Sequence, residues 1–388
     1  MHVQLYLPEF PAQGAPLRSG TIRAVHGLAS ALAKQGVGVT VLCEGRRPGT
    51  HSAPEGFEIR CFPGVPGTLR HALSSALSRY IRECEDPGVI VLNGIFNPGV
   101  LALARACRSR GVAHVVAPHD PYNPAIFAKR RYLKLPYWYV AERPMLRAAT
   151  AIQVLDLRHA QWLRSAGVET RAFEVPNGYL DEDVSPMETL EWRLEGGPRL
   201  LFLGRVDSYN KGLDLLLHAV RALETRPEPQ LVIQGPDWGD LASMSRLASK
   251  LSLQGRVEFL PADFSRPASR IMADHDVFVL PSRFEGFGLS ALEAMLAGRV
   301  LLVSEIAGIA RHVDACGCGV VARPEVEEIA SGLQDLLEKR PKWREMGLRG
   351  RRYALENLTW DSISRRAIEC YGSLRAEGTH SGRSWLSR

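Results

Sequence analysis

The sequence predicts two doubly wound α/β domains in tandem. Short apolar runs rich in β-branched residues alternate with helical patterns along the whole chain, which is typical of parallel sheets covered by helices on both faces. The length of 388 residues suits two domains better than one hydrophobic core. Hydrophobic residues make up 45% and charged residues 23%, a balance that excludes disordered and fibrous proteins.

Twelve strand candidates are short, apolar and mostly bounded by Gly, Pro or Asp. Those in the first half are Val3–Leu7, Val37–Leu42, Phe57–Phe62, Val89–Leu92, Ala113–Ala117 and Ala151–Leu155. Those in the second half are Leu200–Leu203, Gln230–Ile233, Val257–Leu260, Val277–Leu280, Val300–Val303 and Gly319–Ala322. A helix from about Thr21 to Gln35 shows apolar residues at three-four spacing, and Gly36 marks its end.

The domain boundary is expected in an acidic segment that begins and ends with turn formers. We expect an N-terminal domain at 1–180, a linker at 181–198 and a C-terminal domain at 199–358. A terminal helix at 359–375 would return to the first domain, and 376–388 would be a frayed tail. Because ligands of open parallel sheets bind beyond the carboxyl ends of the strands, a cleft between two facing domains is the expected site of chemistry.

Several features point to a cytoplasmic protein. The seven cysteines are scattered and odd in number, which favours a reducing compartment over a disulfide framework. The start, MHVQLYLPEF, lacks the basic and long apolar regions of a signal peptide. The sequence contains no stretch of about 18 apolar residues, so no membrane-spanning helix is expected.

The net charge of +6 is concentrated in one sector. Residues 101–171 contain 12 Lys/Arg and 4 Asp/Glu. Within this sector, residues 129–147 read KRRYLKLPYWYVAERPMLR, in which cations interleave with aromatic side chains. Such a surface suits peripheral contact with an anionic membrane, although the aromatic side chains could instead pack on their own domain. No nucleic-acid-binding motif accompanies the basic sector, so nucleic acid is not an expected partner.

A first candidate site follows the strand that ends at Leu203. Gly204 and Arg205 come directly after it, and Lys211 opens a helix six residues later. An Arg fork and a Lys point charge beside a helix start suit a diphosphate group. The alternative is a pair of ordinary surface cations.

A second candidate site is the loop between the strand Val277–Leu280 and the helix that follows it. It carries two carboxylates, Glu285 before the helix and Glu293 within it. Glycines in the loop let the backbone approach a ligand and present N–H groups to phosphate. Carboxylates beside such a loop accept hydrogen bonds from sugar hydroxyls, although an anion near a helix start is also simply stabilising.

Here the chain resembles the retaining glycosyltransferases of family 4, the group 1 glycosyltransferases, which have the GT-B fold. The resemblance rests on E-G-F-G-L-x-x-x-E at Glu285–Glu293 and an upstream G-R-x-x-x-x-x-K-G at Gly204–Gly212. It also includes the segments Val175–Gly178 and Gly317–Val321, a late Thr359-Trp360, and Tyr371. The resemblance covers nearly the whole chain and implies a C-terminal domain that binds a nucleotide sugar and an N-terminal domain on the acceptor side.

The resemblance implies a role for each motif residue. Arg205 and Lys211 would bind the donor diphosphate, and Glu285 would face hydroxyls of the transferred sugar. Glu293 would bind the ribose. The backbone N–H groups that would hold phosphate are those of Gly286, Phe287, Gly288 and Leu289. The nucleotide base is expected near Arg256 and Val257, at the start of a strand whose backbone could read it.

The first domain contributes two further positions. Gly20 opens the helix after the first strand, where the family often has paired glycines and this chain has Ser19-Gly20. His119 follows the strand that ends at Ala117, in a place where the family has a functional His. The residues alone favour a simple hydrogen-bonding role for His119, whereas the resemblance implies contact with the donor sugar. The expected catalytic residues are thus Glu285, His119, Arg205 and Lys211.

Neither a metal nor a cofactor is expected. Asp181-Glu182-Asp183 and Asp274-His275-Asp276 have the spacing that binds a metal and a diphosphate in another transferase fold. The first lies in the expected linker and the second precedes a buried strand, so capping or solvation is the expected role. Arg205 and Lys211 already supply the positive charge that a metal would provide.

The sequence is thus interpreted as a retaining hexosyltransferase that acts on a glycan or lipid-linked acceptor in polysaccharide or surface-glycan synthesis. A front-face path in which the leaving phosphate helps to deprotonate the acceptor suits the residues, because no nucleophile pair is evident. One alternative is a catalytically silent GT-B-like partner in a glycan assembly complex, which the changed Gly20 loop would favour. Another is a nicotinamide dehydrogenase with Glu44 on the ribose, but the glycine fingerprint of that class is missing.

Overall fold

A computed structural model describes the chain except for residues 12–13, 18, 65–72, 185, 188–189, 193–194 and 382–388, and except for the side chains of 376–381. The chain divides into two compact units. The first comprises Met1–Gly178 and Trp360–Arg388, and the second comprises Tyr179–Thr359.

In the described part of the first unit, eight strands form one sheet in the order β3-β4-β2-β1-β5-β6-β7-β8. The strands are β1 (His2–Tyr6), β2 (Gly38–Gly45), β3 (Gly49–Ser52), β4 (Glu58–Pro63), β5 (Val89–Asn93), β6 (His114–Ala117), β7 (Ala151–Val154) and β8 (Ala172–Glu174). All neighbours pair in parallel except β3, which runs antiparallel to β4. Every residue of β5 is buried, as expected for a central strand covered on both faces.

The helices of the first unit cover this sheet. Those that precede the second unit are α1 (Gly20–Lys34), α2 (Ser75–Glu83), α3 (Pro98–Ser109), α4 (Arg131–Tyr137), α5 (Arg143–Ala148) and α6 (Leu157–Ser165). A single-turn 3₁₀-helix spans Pro124–Phe127, and a π-helical turn at Trp138–Glu142 joins α4 to α5. The Ser19 side chain caps α1 by accepting a hydrogen bond from the Ile22 N–H at 3.1 Å.

The second unit is built on a parallel sheet in the order β11-β10-β9-β12-β13-β14. Its strands are β9 (Arg199–Leu203), β10 (Gln230–Gln234), β11 (Val257–Leu260), β12 (Val277–Leu280), β13 (Val300–Ser304) and β14 (Gly319–Ala322). Its helices are α7 (Ser208–Lys211), α8 (Leu213–Ala222), α9 (Leu241–Lys250), α10 (Ala268–Ala273), α11 (Leu289–Leu296), α12 (Ala310–Cys316), α13 (Val326–Glu338) and α14 (Trp343–Asn357). Short 3₁₀ turns lie at Asp181–Asp183 and Arg340–Lys342.

Residues 181–198, expected as a linker, lie within the second unit. Leu190 is buried, and the Trp192 indole N–H donates to the Gly298 carbonyl at 2.9 Å. Tyr179 and Thr359 pair as a parallel β-bridge where the chain enters and leaves this unit. Leu190 and Trp192 therefore attach the described part of this segment to the second unit through contacts that its acidic composition does not indicate.

The last helix, α15 (Trp360–Ser381), packs against α1 in the first unit. Tyr371 is fully buried, and its hydroxyl donates to Oε1 of Gln153 at 2.5 Å. The helix continues through Ser381, beyond the expected end at residue 375, and the remainder of the expected tail lies outside the described residues. Within the described ranges, no helix is both long and apolar enough to cross a membrane.

Candidate active site

The two motif-bearing loops of the second unit lie side by side because their strands are neighbours. β9 pairs with β12 in parallel, with Leu200 opposite Val277. The loop from Gly204 to Lys211 follows β9, and the loop from Pro281 to Gly288 follows β12. Both loops therefore leave the same carboxyl edge of the sheet, where open α/β sheets bind ligands.

An ion pair joins the two loops. The Lys211 ammonium lies 2.6 Å from Oε2 of Glu285, and each side chain is 14% exposed. The Ser282 hydroxyl also donates to this oxygen at 3.3 Å. The backbone N–H of Phe284 donates to the Asn210 carbonyl at 3.0 Å, which fastens the loops a second time. The structure thus brings together the cation and the carboxylate that the motifs predict.

Local backbone geometry fixes the position of Lys211. The Asp207 carboxylate caps α7 by accepting from the Asn210 backbone at 3.3 Å and from its side-chain amide at 2.6 Å. Gly212 follows Lys211 with a φ of 65°, and a Cβ there would lie 2.1 Å from the Pro281 carbonyl oxygen. Only glycine permits this approach of the two loops.

Arg205 is exposed at the end of β9, and its guanidinium lies 4.1 Å from the ring centroid of Trp238. This cation–π contact holds the side chain at the sheet edge. Trp238 is 61% exposed in the loop after β10, the strand beside β9. No sequence motif includes Trp238, whose only signal in the sequence is its place in a loop that follows a strand.

The glycine-bearing loop leads into α11 through a strained turn. Gly288 has a φ of 96°, and a Cβ there would lie 2.9 Å from Cδ2 of Leu280. The carbonyls of Gly286 and Phe287 accept hydrogen bonds from the N–H groups of Gly308 and Ile309 at 3.1 and 2.9 Å. The first N–H groups of α11 have no acceptor within the helix itself, which makes its start a suitable phosphate site.

Glu293 lies on α11, one turn beyond Leu289, and is 8% exposed. Its neighbours Leu292 and Ala294 are buried in the core of the unit. The helix that follows the Glu285 loop thus carries a second, buried carboxylate.

Arg256 and Val257 do not lie at this edge. Val257 is the first residue of β11 and is in register with Leu231 of β10, whose partner is Leu200 of β9, so it lies at the amino-terminal edge of the sheet. The Arg256 guanidinium donates to the Val220 carbonyl at 3.1 Å and lies 3.3 Å from the Glu228 carboxylate. The expectation of a base contact here is corrected, because the start of a parallel strand faces away from the loops that follow strands.

In the first unit, His119 follows β6 with a φ of 64°. Its Nε2 lies 2.7 Å from Oδ1 of Asn93. The Asn93 amide nitrogen donates to the carbonyls of Tyr6 and Val91 at 3.0 and 3.3 Å, so Oδ1 is an acceptor and His119 carries its proton on Nε2. Burial lowers the pKa of His119 to about 4, which keeps the imidazole neutral at physiological pH.

His119 lines a pocket within the first unit together with residues of α1, the end of β5 and the start of α15. The lining includes Leu5, Val25, Asn93, Asn177 and Trp360. Gly20 is the first residue of α1, whose following turns line this pocket. The sequence-predicted positions of this unit therefore belong to one region around the carboxyl ends of its strands.

The family assignment follows from two sequence matches. Residues 191–353 match the model of the glycosyl transferases group 1 family, and residues 19–178 match the model of a glycosyl transferase 4-like domain. The chain belongs to the group 1 glycosyltransferases. Together the two matches span most of this group 1 glycosyltransferase, one in each unit, and the resemblance derived from the motifs is confirmed.

Curated relatives carry glycosyltransferase names. This group 1 glycosyltransferase is 27% identical over 291 residues to the GDP-mannose:cellobiosyl-diphosphopolyprenol alpha-mannosyltransferase of Xanthomonas campestris, over 74% of this chain and 73% of that protein. It is 29% identical over 186 residues to the D-inositol 3-phosphate glycosyltransferase of Nocardia farcinica, over 46% of this chain and 41% of that protein. It spans less than half the length of several further curated relatives that it matches.

Solved structures support the fold. HepE from Anabaena, determined in complex with UDP and glucose, superimposes with a TM-score of 0.71 at 16% identity, over 96% of this chain and 100% of that one. The expectation of a GT-B fold with two Rossmann-like α/β units is confirmed.

The sequence of this group 1 glycosyltransferase does not indicate that Glu142 is a buried carboxylate. Glu142 is fully buried, and its Oε1 accepts from the Phe96 N–H at 2.9 Å and from the Tyr122 hydroxyl at 2.6 Å. Burial raises the pKa of Glu142 to about 7. The contacts tie the π-helical turn to the loops after β5 and β6. A lone acidic residue within a basic aromatic run gave no motif by which to find it.

The basic aromatic segment 129–147 has two faces. Trp138 is buried, with its ring centroid 5.2 Å from that of Tyr122. Tyr132, Tyr139 and Val140 are 77%, 62% and 77% exposed. The inner aromatic side chains thus pack on their own unit, whereas the outer ones reach solvent, and contact with a membrane stays a prediction.

The Asp-x-Asp segments are engaged in local structure. Asp183 accepts from the Leu180 N–H at 2.8 Å, and Asp276 accepts from the Arg199 N–H at 2.8 Å. Asp274 forms an ion pair with Arg266 at 2.6 Å. In the part of the chain that the structure describes, no group of three or more His, Cys, Asp or Glu side chains could hold a metal ion.

Proposed function

We propose that this group 1 glycosyltransferase moves a hexosyl group from a nucleotide diphosphate sugar to a hydroxyl group of a glycan or lipid-linked acceptor. The observation that carries the proposal is the contact of 2.6 Å between Lys211 and Glu285. This contact places a cation that can bind a diphosphate beside a carboxylate that can accept hydrogen bonds from sugar hydroxyls. Both lie at the edge where parallel sheets bind ligands.

Departure of the diphosphate requires stabilisation of developing negative charge. Lys211 and Arg205 supply two cations at this edge, and the start of α11 adds backbone N–H groups and a helix dipole. Because these groups already provide positive charge, the proposed reaction needs no metal ion. Glu293 is assigned to the ribose hydroxyls of the donor, as a carboxylate on the helix that follows the same loop.

We also propose that the transferred sugar keeps the anomeric configuration that it has in the donor. Glu285 is paired with Lys211 and is better suited to position hydroxyls than to attack the anomeric carbon. A front-face path, in which the leaving phosphate takes the acceptor proton, uses no enzyme nucleophile. A time course of product NMR from the first turnovers is expected to show the configuration of the donor, and an inverted first product would contradict this path.

His119 is assigned to binding rather than to proton transfer. Its Nε2 proton is engaged by Asn93, and its pKa near 4 leaves little protonated form at neutral pH. The residue can therefore offer an acceptor, either Nδ1 or its backbone carbonyl, to a sugar hydroxyl. His119 is therefore not assigned the role of a general acid.

A donor screen tests whether the Lys211–Glu285 pair belongs to the donor site. We expect one class among UDP-, GDP- and ADP-sugars to raise the melting temperature of the protein, because ligand binding stabilises the folded state. Lys211→Ala should abolish that increase. Lys339→Ala is the matched control, since Lys339 forms an ion pair of 2.7 Å with Asp335 on the exposed surface of the same unit. Equal ligand-induced shifts in the two variants would remove Lys211 from the donor site.

The acceptor is proposed to be presented at an anionic membrane surface, with the protein peripheral at its cytoplasmic face. Tyr132, Tyr139 and Val140 form an exposed apolar face beside Lys129 and Arg131. The Xanthomonas relative is named for a diphosphopolyprenol acceptor, which is consistent with a lipid-linked substrate. Apolar side chains flanked by cations suit the interfacial region of such a membrane.

Vesicle sedimentation tests the membrane contact. Binding to phosphatidylglycerol-containing vesicles and little binding to phosphatidylcholine vesicles are expected. The double substitution Tyr139→Ser and Val140→Ser should reduce binding strongly, whereas Leu157→Ser, at a 47% exposed leucine of the same unit, should not. Unchanged binding of the double variant would contradict the contact.

A further inference from the structure

In the described part of the second unit, three aromatic side chains are exposed at the carboxyl edge of the sheet. They are Tyr209, Trp238 and Phe264, which are 37%, 61% and 68% exposed and follow β9, β10 and β11. These strands are neighbours in the sheet, and their last residues, Leu203, Gln234 and Leu260, are in register, so the three loops begin level with one another. Single exposed aromatic residues are common, whereas three at the edge where open α/β sheets bind ligands indicate a contact surface.

The loop after β10, which carries Trp238, is fastened to the loop after β9. The Trp238 backbone N–H donates to the Val206 carbonyl at 3.3 Å, and the Val206 N–H donates to the Pro236 carbonyl at 2.9 Å. A Cβ on Gly235 would lie 1.9 Å from the Gly204 carbonyl oxygen, so only glycine permits the two backbones to approach this closely. The indole is therefore attached to a backbone whose position is fixed by its neighbour in the sheet.

Asp237 fixes the turn on which Trp238 lies. Its Oδ1 accepts hydrogen bonds from the backbone N–H groups of Gly239, Asp240 and Leu241 at 2.7, 3.0 and 3.1 Å. Oδ2 of Asp240 accepts from the Ser208 N–H at 2.8 Å, which ties this turn to the start of α7. A ligand that stacks on Trp238 therefore does not have to order the loop, and the entropic cost of binding is lower.

The Trp238 ring is in contact with one of the two cations of the candidate site. The Arg205 guanidinium lies over the ring, 4.1 Å from its centroid, so it covers part of one face. The side chain of Trp238 is still 61% exposed, so a planar group can reach the ring from solvent. Trp238 is thus an accessible aromatic ring beside the guanidinium to which the donor diphosphate is assigned.

We propose that Trp238 stacks on the base of the donor nucleotide, an inference that rests on the proposed transferase function. The base is joined through the ribose to the diphosphate, and the diphosphate is assigned to Arg205, which contacts the indole. Arg256 and Val257, where a base contact was expected, lie at the opposite edge of the sheet and cannot hold the base of a donor bound here. Because every base has a π-face, stacking on Trp238 adds affinity for a nucleotide without selecting one base.

The alternative role of Trp238 is to position Arg205 through the cation–π contact alone. The two roles affect different parts of the ligand. Loss of stacking weakens only ligands that carry a base, whereas displacement of Arg205 weakens every diphosphate. Inorganic pyrophosphate has no base and therefore distinguishes the two roles.

Calorimetric titration of the full chain with UDP, GDP, ADP and inorganic pyrophosphate tests the stacking. Trp238→Leu should weaken binding of the nucleotide that the wild-type chain prefers by about tenfold or more, and should change pyrophosphate binding by less than about twofold. Trp238→Phe keeps an aromatic ring and should retain most of the nucleotide affinity. Met187→Ala is the control, because Met187 is another exposed apolar side chain of the same unit, and it should bind both ligands like the wild-type chain.

Tryptophan fluorescence provides a second measurement that does not require pyrophosphate to bind. A base stacked on an indole quenches the emission of that indole, so the preferred nucleotide should quench the wild-type chain. Trp238→Phe should lose most of this quenching although it still binds the nucleotide. Trp162→Phe is the matched control and should keep the quenching, because Trp162 lies in the first unit, stacked on His159 with ring centroids 5.4 Å apart.

The outcomes separate this inference from the proposed function. Unchanged nucleotide affinity in Trp238→Leu, equal losses of nucleotide and pyrophosphate affinity, or equal quenching in the wild-type chain and Trp238→Phe would overturn the stacking and leave the proposed function intact. A wild-type chain that binds none of the three nucleotides would overturn the proposed function and this inference with it.

Discussion

Lys211 and Glu285 are 74 positions apart in the sequence, yet their charged atoms lie 2.6 Å apart. Each side chain is mostly buried, so each charge needs the other or a ligand in its place. Sugar hydroxyls and a diphosphate could replace this mutual contact without leaving either charge unpaired. The pair is therefore suited to a site that is occupied and vacated repeatedly.

Glu142 gives a residue-scale prediction about pH. Its folded-state pKa, about 7, lies above the ordinary 4.5, so its contribution to stability is complete below pH 4.5 and is lost as pH rises through 7. Glu142→Gln keeps a carbonyl acceptor but cannot ionise. The variant should therefore gain stability relative to wild type as the pH rises from 5 to 8. The gain should reach about 3 kcal/mol, because a pKa difference of one unit between the folded and unfolded states corresponds to ~1.4 kcal/mol.

Melting temperatures of the two proteins across that pH range provide the measurement for Glu142. Glu85→Gln is the control, because Glu85 is exposed in the same unit. A difference between Glu142→Gln and wild type that stays constant with pH would show that Glu142 is ionised in the folded protein.

At the scale of elements, the strands were the most predictable part of the fold. β5 and β13 are wholly buried, and each is apolar except for its last residue, so their apolar runs and flanking turns indicated them. β3 and β8 were missed, because β3 is four mostly exposed residues, GTHS, and β8 has three residues. Short or exposed strands are defined by their partners rather than by their own sequence.

The sequence predicts which residues belong to the candidate site but not how they are arranged in space. That Gly204 and Pro281 begin neighbouring loops depends on the order β9-β12 in the sheet, which local sequence does not encode. The expected base contact at Arg256 is wrong because Arg256 precedes β11, at the amino-terminal edge of the sheet. Trp238 and Glu142 belong to no motif, so only tertiary structure shows their contacts.

Gly288 gives an element-scale prediction. A Cβ at this φ of 96° would also lie 2.9 Å from Leu280 and 3.2 Å from Ile309, so Gly288→Ala should displace the start of α11. Gly111→Ala is the matched control, since Gly111 has a φ of 66° with nothing within 4 Å of the added Cβ. Both variants should lose about 1–2 kcal/mol of folding stability, because alanine is disfavoured in the left-handed backbone conformation. Only Gly288→Ala should also lose donor affinity. Calorimetric titration with the nucleotide found in the donor screen would measure this, and equal affinities would contradict it.

At the scale of the whole molecule, the first unit is built from two separate stretches of the chain. After the second unit, α15 returns to the first unit and packs against α1, and Trp360 and Tyr371 enter its core. Gln35 at the end of α1 donates to the Asp361 carbonyl at 2.9 Å. The first unit therefore depends on residues that follow the second unit in the sequence.

Truncation tests this dependence. Removal of 360–388 should destabilise the first unit by more than about 4 kcal/mol, because it exposes the face of α1 and deletes buried aromatic side chains. Removal of 382–388 alone is the control and should leave thermal unfolding unchanged. The finer variant Tyr371→Phe loses the hydrogen bond to Gln153 and should cost about 1–2 kcal/mol. A chain ending at Thr359 that melts like the full chain would contradict the structural role of α15.

Nucleotide release from a panel of sugar nucleotides, followed in the wild-type chain and in Lys211→Ala and Glu293→Gln, tests the central claim most directly. The proposed function predicts release from at least one donor by the wild-type chain, and a loss of about 100-fold or more in Lys211→Ala, comparable to removal of one oxyanion-type donor. Glu293→Gln should also lose most activity, and all three proteins should remain folded at the assay temperature, although Lys211→Ala leaves Glu285 without its partner and should melt at a lower temperature. Near-normal rates in both variants would contradict the diphosphate and ribose assignments together.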